Sequence, residues 1–229
     1  MKRIASGVVA VLLLLTMSGA VRAEEGAEVT EVTVGVKTWF NNWKREAASV
    51  GSETSNYTLL IGPAIEAEFP NHIFVEGSYM MSASDYKFSD GDNIVRKFDR
   101  ADLDLAVGYM FTHTIGVFAG YRDSRFEEKD VDVKESVYGP LIGIRASAPL
   151  DEALSVYGKL SYLLTTFKSS EEGMGSEKAP GWVAEAGVKY AFTKEFAGSL
   201  GYKFEQTETK ESEIKDTFSG VTLDVMYTF

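Results

Sequence analysis

The stretch Ala101-Asp102-Leu103-Asp104-Leu105-Ala106-Val107-Gly108-Tyr109 puts Leu103, Leu105, Val107 and Tyr109 on one phase. Asp102, Asp104, Ala106 and Gly108 fall on the other. Alternation with period two is the signature of a β-strand whose two faces meet different surroundings. The same period runs through Trp182, Ala184, Ala186, Val188, Tyr190 and Phe192, set against Val183, Glu185, Gly187, Lys189 and Ala191. Working outward, ten candidate strands appear: 31–40, 55–69, 73–85, 97–111, 115–125, 136–149, 154–167, 181–192, 196–206 and 217–229. No apolar stripe of comparable length has a 3.6-residue period, so helices are not expected beyond the N-terminus.

The connections alternate in length. Short ones fall at 70–72, 112–114, 150–153 and 193–195, and long polar ones at 41–54, 86–96, 126–135, 168–180 and 207–216. Four short turns and five long loops suit a ten-stranded meander with both ends on one side. The apolar and aromatic residues alone set the outward phase of each strand. Lys37, Glu66, Glu68, Glu76, Arg100, Asp102, Asp104, Arg122, Arg145, Lys159, Glu185, Lys189, Lys203, Glu205 and Asp224 all take the opposite phase. A soluble sandwich would turn its charges out and its apolar residues in. The size of the apolar face and its aromatic ends break the tie. Trp182 and Phe192 share that face ten steps apart, which at ~3.3 Å per residue and ~40° tilt covers about 25 Å along a membrane normal. Tyr57 and Phe69 bracket the second strand in the same way. The expected fold is therefore all-β: an antiparallel up-and-down transmembrane β-barrel of ten strands, with eight strands as the alternative.

The N-terminus sets the compartment. Lys2 and Arg3 precede an apolar run from Val8 to Leu15, and small and polar residues end at Ala20-Val21-Arg22-Ala23. This is the layout of a secretory signal. Residues 1–23 are expected to be removed, leaving 24–229 as one barrel domain with 24–30 as a short periplasmic lead-in. The apolar run falls well short of the ~20 residues that span a bilayer as a helix. The whole chain has a net charge of −11, and losing three basic and no acidic residues with the signal makes the remainder more acidic still. Such acidity excludes nucleic acid as a partner. There are no cysteines, so neither disulfides nor a thiolate metal site is available.

The final strand carries Gly220, Leu223, Val225, Tyr227 and a terminal Phe229. It resembles the terminal signal by which barrel-insertion machinery recognises outer-membrane barrels. Taken whole, residues 24–229 resemble the small outer-membrane β-barrel families, the OmpA-like and porin-like barrels, in strand pattern and terminus. The resemblance implies the cell outer membrane as location, periplasmic termini and short turns, external loops, and contact with membrane lipids and lipopolysaccharide. It implies no active site.

Outer-membrane proteases of the omptin type also have ten strands, and resemblance to them would imply paired Asp residues and an Asp–His pair near the outer rim. The only histidines are His72 and His113, both in short turns. A hydrolase triad also needs a histidine beside its nucleophile. The expectation is a protein that is not an enzyme, with no cofactor and no metal site. The loops are acidic at Glu127-Glu128-Lys129-Asp130-Val131-Asp132, at Glu171-Glu172 and from Glu208 to Asp216, but none has calcium-loop spacing. The inward charges, seven basic and eight acidic, are candidates for a structural ion-pair network or for the selectivity charges of a narrow pore. Two functions follow: a structural or surface barrel acting through its acidic loops, or a narrow porin-like channel for ions or small solutes.

Overall fold

The computed structural model describes residues 31–47, 51–90, 93–131, 133–171 and 175–229. The expected signal peptide and lead-in lie outside the described residues. The described chain is all strand: β1 (Glu31–Ala47), β2 (Gly51–Thr54), β3 (Thr58–Glu68), β4 (Ile73–Ser82), β5 (Tyr86–Asp90), β6 (Asn93–Met110) and β7 (Ile115–Glu128) make up the first half. The second half is β8 (Val133–Pro149), β9 (Leu154–Leu163), β10 (Thr166–Ser169), β11 (Ser176–Lys178), β12 (Gly181–Ala191), β13 (Phe196–Glu208) and β14 (Lys215–Thr228). Ten of these form a closed antiparallel wall in the order β1, β3, β4, β6, β7, β8, β9, β12, β13 and β14. The barrel shuts where β14 returns to β1, with Val36 opposite Val225 and Trp43 opposite Phe218.

The other four strands correct the expected loops. Segments 41–54, 86–96 and 168–180 hold β2, β5, β11 and the second half of β10, which carry the wall onward after an interruption. Ser55 N donates to Trp43 O (2.8 Å), Ala83 N to Leu59 O (2.7 Å) and Ala179 N to Thr165 O (3.0 Å), so the ladder resumes beyond each break. Likewise β1 runs to Ala47 rather than 40, and β6 begins at Asn93 rather than 97. These ends read as loops because their outer faces are polar. Beyond the membrane, however, an outer face turned to water takes Lys44 and Glu46 at no penalty while Trp43 and Arg45 point inward. At Gly139, φ is +150° and a Cβ would lie 2.8 Å from Leu164 O, so only glycine lets β8 bend where β9 gives way to β10.

At the opposite end the turns are tight for a local reason. Thr112, Asp151 and Thr193 each accept, through a side-chain oxygen, the amides two and three residues on. These are the Asx- and Thr-type turns that close short hairpins. Across the wall, Leu105 is 49% exposed while Arg122 on the other phase is 5% exposed. Leu105, Val107, Ile142, Ile144, Leu200, Leu223 and Val225 form the outer apolar band. Aromatic pairs edge it at the turn end, Tyr109–Phe111, Tyr190–Phe192, Phe196–Tyr227 and Tyr227–Phe229. At the loop end Phe40 stacks on Tyr57 and Trp182 on Phe204, at 5.2 and 4.6 Å between centroids.

Two of the loop-end segments are tied by one carboxylate. Glu177 accepts from the amides of Glu211 (2.8 Å) and Ser212 (3.1 Å) and from the Ser212 hydroxyl. Burial works against its charge, but the Ser212 hydroxyl and the two amides outweigh that and hold its carboxyl below the usual range. A depressed carboxylate stabilises above its unfolded value and loses that contribution as pH falls through the folded one. Protection factors of the Glu211 and Ser212 amides are therefore expected to drop on acidification below about 4.5, and Glu177→Gln to lower them already at neutral pH. For the wall, Leu105→Arg should lose about 2–4 kcal/mol in urea unfolding from lipid vesicles, the cost of a cation at the bilayer midplane. Gln206→Arg, beyond the aromatic edge, should stay within about 0.5 kcal/mol of the parent.

Candidate functional site: the barrel interior

The charged residues singled out from the sequence lie on the interior phase of their strands, and the wall brings many of them into one network. β6 supplies Arg100, Asp102 and Asp104, and the neighbouring β7 supplies Arg122. From across the barrel β13 supplies Lys203 and Glu205. Arg122 forks onto Asp104 through Nε (2.6 Å) and Nη2 (2.7 Å), and its Nη1 reaches Glu205 at 2.8 Å. Arg100 reaches Asp102 and the other oxygen of Glu205, each at 2.8 Å. Glu205 thus bridges two guanidinium groups, and Arg100, Arg122 and Glu205 are buried. Nearer the turn end Arg145 holds Glu66 and Glu68 at 2.5 Å and lies 3.6 Å above the Phe74 ring, and Lys159 pairs with Glu76. Lys37, Glu185, Lys189, Lys203 and Asp224 make no direct ion pair among the described residues. Asp224 instead accepts from Thr38 N and Ser199 Oγ (both 3.2 Å), Tyr157 donates to Glu185 (3.2 Å), and Lys203 Nζ lies 4.3 Å from the Trp39 ring. Glu68 and Lys189 are exposed at the turn-end mouth.

What the charge pattern did not reveal lies on the loop side of this network. Trp39, Trp43, Leu60, Met80, Tyr86, Phe88, Phe98, Phe126, Val137, Phe167, Ala179 and Phe218 form one buried cluster inside the barrel. Trp43 is its centre, with Phe88, Phe98, Phe126 and Phe218 rings at 5.0–5.1 Å and Tyr86 at 5.9 Å. Its indole N–H donates to Asp216 (2.7 Å), and Tyr86 donates to Asn41 (2.8 Å). Arg45 caps it, 4.6 Å above the Trp43 ring, bonded to Asp216 and Glu135 at 2.8 Å each. The available signal was phase: Trp39, Trp43 and Arg45 continue the alternation of Lys37, and Phe98 that of Arg100. An expected first strand ending at 40 leaves Trp43 and Arg45 in a loop, and an expected fourth strand starting at 97 leaves Tyr86 and Phe88 in another.

The interior is thus layered along its axis. A cavity of about 440 Å³ opens at the turn end, lined by Glu68, His72, His113, Arg145, Tyr157 and Lys189 among others. A smaller one of about 110 Å³ continues from it beneath Trp39, sharing Lys37, Glu76, Lys159 and Asp224. Above come the Arg100–Glu205–Arg122 network and the aromatic cluster. His72 and His113 sit in adjacent turns, ring centroids 6.3 Å apart, at the end of the barrel away from the loops. Among the described residues no group of three His, Asp or Glu side chains is placed to hold a metal ion.

Several solved structures share the architecture. The outer membrane protease OmpT from Escherichia coli matches with a TM-score of 0.60 at 11% identity, over 91% of this chain and 99% of that one. The translocator domain of the autotransporter NalP from Neisseria meningitidis matches at 0.48 and 13%, covering 100% and 98%. The attachment invasion locus protein Ail of Yersinia pestis matches at 0.40 and 14%, covering 86% and 99%. At these identities only the OmpT likeness bears on anything, and it concerns the fold. No curated protein matches the chain. The family model for the outer membrane protein beta-barrel domain matches residues 80–229. With a closed ten-stranded wall and an outward apolar band edged by aromatics, the chain belongs to that outer membrane β-barrel family.

Proposed function

We propose that this protein is a closed, non-enzymatic outer-membrane barrel that acts at the cell surface through its loop end. Its short turns and termini face the periplasm, and its final strand, ending at Phe229, addresses it to the insertion machinery. The observation that carries this reading is the Trp43-centred cluster, which fills the lumen on the loop side of the ion-pair layer. A pore needs a wetted path and a hydrolase a wetted cleft, and packed rings with an Arg45–Asp216–Glu135 cap supply neither. The placement of histidine points the same way, since the loop end lacks one to serve as a base. Likeness in fold to a protease does not transfer its chemistry at 11% identity.

The inward charges are, in this reading, structural. A carboxylate shared by two buried guanidinium groups satisfies charges that would otherwise cost several kcal/mol each. Contact with lipopolysaccharide is supported by Arg125, Lys134, Lys168 and Lys178, all exposed. The register puts them on neighbouring strands of the outer face beyond the apolar band, suited to phosphate groups.

A narrow channel is the second reading, favoured by the turn-end cavity and by Lys37 and Lys189, which have no direct ion-pair partner among the described residues. Planar-bilayer recording of the refolded protein separates the two. No steady conductance is expected from the parent, and openings are expected from Trp43→Ala combined with Phe218→Ala. Steady parental conductance that changes with Arg122→Ala or Glu185→Gln would overturn the closed reading. Glu205→Gln should cost about 3–5 kcal/mol in urea unfolding, because two arginines then face each other without their shared anion.

A further inference from the structure

The two histidines of this chain stand 41 residues apart in sequence, yet the barrel seats them side by side on the turn-end rim. Their mounts are rigid. His72 adopts φ +66°, in the left-handed region, and its backbone is pinned twice: its N–H donates to Phe69 O (3.0 Å), and its carbonyl accepts from Met110 N (2.8 Å). Met110 ends the strand that leads into the turn bearing His113, so one hydrogen bond couples the two turns directly. Thr112 Oγ1 clamps the second turn through the amides of Thr114 and Ile115, and Thr114 O accepts from Ser147 N of the next strand (2.8 Å). Both imidazoles are exposed and line the mouth of the turn-end cavity.

We propose that His72 and His113 form a two-imidazole clamp for a late first-row divalent ion of the Zn²⁺, Ni²⁺ or Cu²⁺ class. The spacing carries the proposal. A metal–nitrogen bond of 2.0–2.1 Å places the ion about 3.2 Å from each ring centre, so two rings on one ion stand about 5.2 Å apart at a tetrahedral angle and about 6.4 Å when opposed. The observed 6.3 Å lies at the opposed end of that window, so a tetrahedral ion draws the two rings about 1 Å closer. The rings meet at 70°, and exposed side chains turn about their own bonds to aim both lone pairs without moving the wall. Imidazole selects this class of ion over Mg²⁺ and Ca²⁺, which take oxygen ligands. With no third His, Asp or Glu grouped there among the described residues, solvent completes the shell and the affinity is modest.

Calorimetric titration of the refolded barrel with Zn²⁺ alone tests this. One ion per chain is expected, bound with a dissociation constant on the order of micromolar and dependent on both histidines. His72→Asn keeps a residue that tolerates the left-handed conformation, and His113→Asn matches it. Each should weaken binding at least about tenfold and the pair should abolish it, since removing one of two ligands leaves a monodentate site. Binding that survives in the double variant would place the ion on the acidic loops and overturn the proposal, as would a parent that stays unsaturated at about millimolar Zn²⁺. A measurement on the unmodified chain guards against variants that fold poorly: Zn²⁺ should protect both histidines together from acylation by diethylpyrocarbonate. Unequal or absent protection counts against a shared ion.

Discussion

Everything in this protein depends on closing the backbone hydrogen-bond ladder on itself. In hydrocarbon an unpaired N–H or C=O has no water to turn to, and each costs several kcal/mol. A sheet can cross only if its first and last strands meet. Here β14 returns to β1 along twelve residue pairs, from Thr33–Thr228 to Glu46–Lys215. The closure fixes the two faces of every strand, and with them which side chains meet lipid and which share the lumen. Past the apolar band water can pair backbone groups, so the four extra strands there are held by the rings and ion pairs they bury in the lumen rather than by the need to close the ladder.

The same strand meets different solvents along its length, and its pattern changes accordingly. Within the band, β6 turns Leu103, Leu105, Val107 and Tyr109 to lipid and Asp102 and Asp104 inward. Beyond it, β6 turns Lys97 and Asp99 outward and Phe98 inward. β1 does likewise, with Lys37 inside at one level and Trp43 inside at another. A rule of apolar out and charged in holds only where the outside is hydrocarbon. Where water takes over, the hydrophobic effect acts as it does in a soluble core and gathers the rings in the lumen.

That change of rule marks how far the sequence was legible. Ten strands, their order, the closed antiparallel wall and the interior phase of Arg100, Asp102, Asp104, Arg122, Lys203 and Glu205 all follow from alternation and turn chemistry. The aromatic cluster did not, because Trp43, Tyr86 and Phe88 sit in segments whose net polarity reads as loop. Nor could partners be read: that Glu205 joins Arg100 to Arg122 rather than pairing with Lys203, two residues away on its own strand, depends on barrel width and strand stagger. The adjacency of His72 and His113 is equally a product of the wall, as no local pattern links the two turns.

The order of the interior layers follows from the cations at their boundary. Arg100 stands 4.0 Å from the Phe218 ring and 5.3 Å from those of Trp39 and Phe126, while Lys203 lies 4.3 Å from Trp39. Ion pairing alone is close to neutral in stability, since desolvation consumes most of the Coulomb attraction. A desolvated cation against an aromatic face gains about 2 kcal/mol. The rings therefore cover the side of each cation that no carboxylate reaches. This accounts for Lys203, which is buried with no ion-pair partner among the described residues yet faces Trp39. Phe218 serves both layers, stacked on Trp43 at 5.1 Å on one side and meeting Arg100 on the other. The charged layer depends on the aromatic one for its desolvated faces, and the aromatic layer rests on the charged one as its floor. Neither could be exchanged for a water-lined passage without stranding the other.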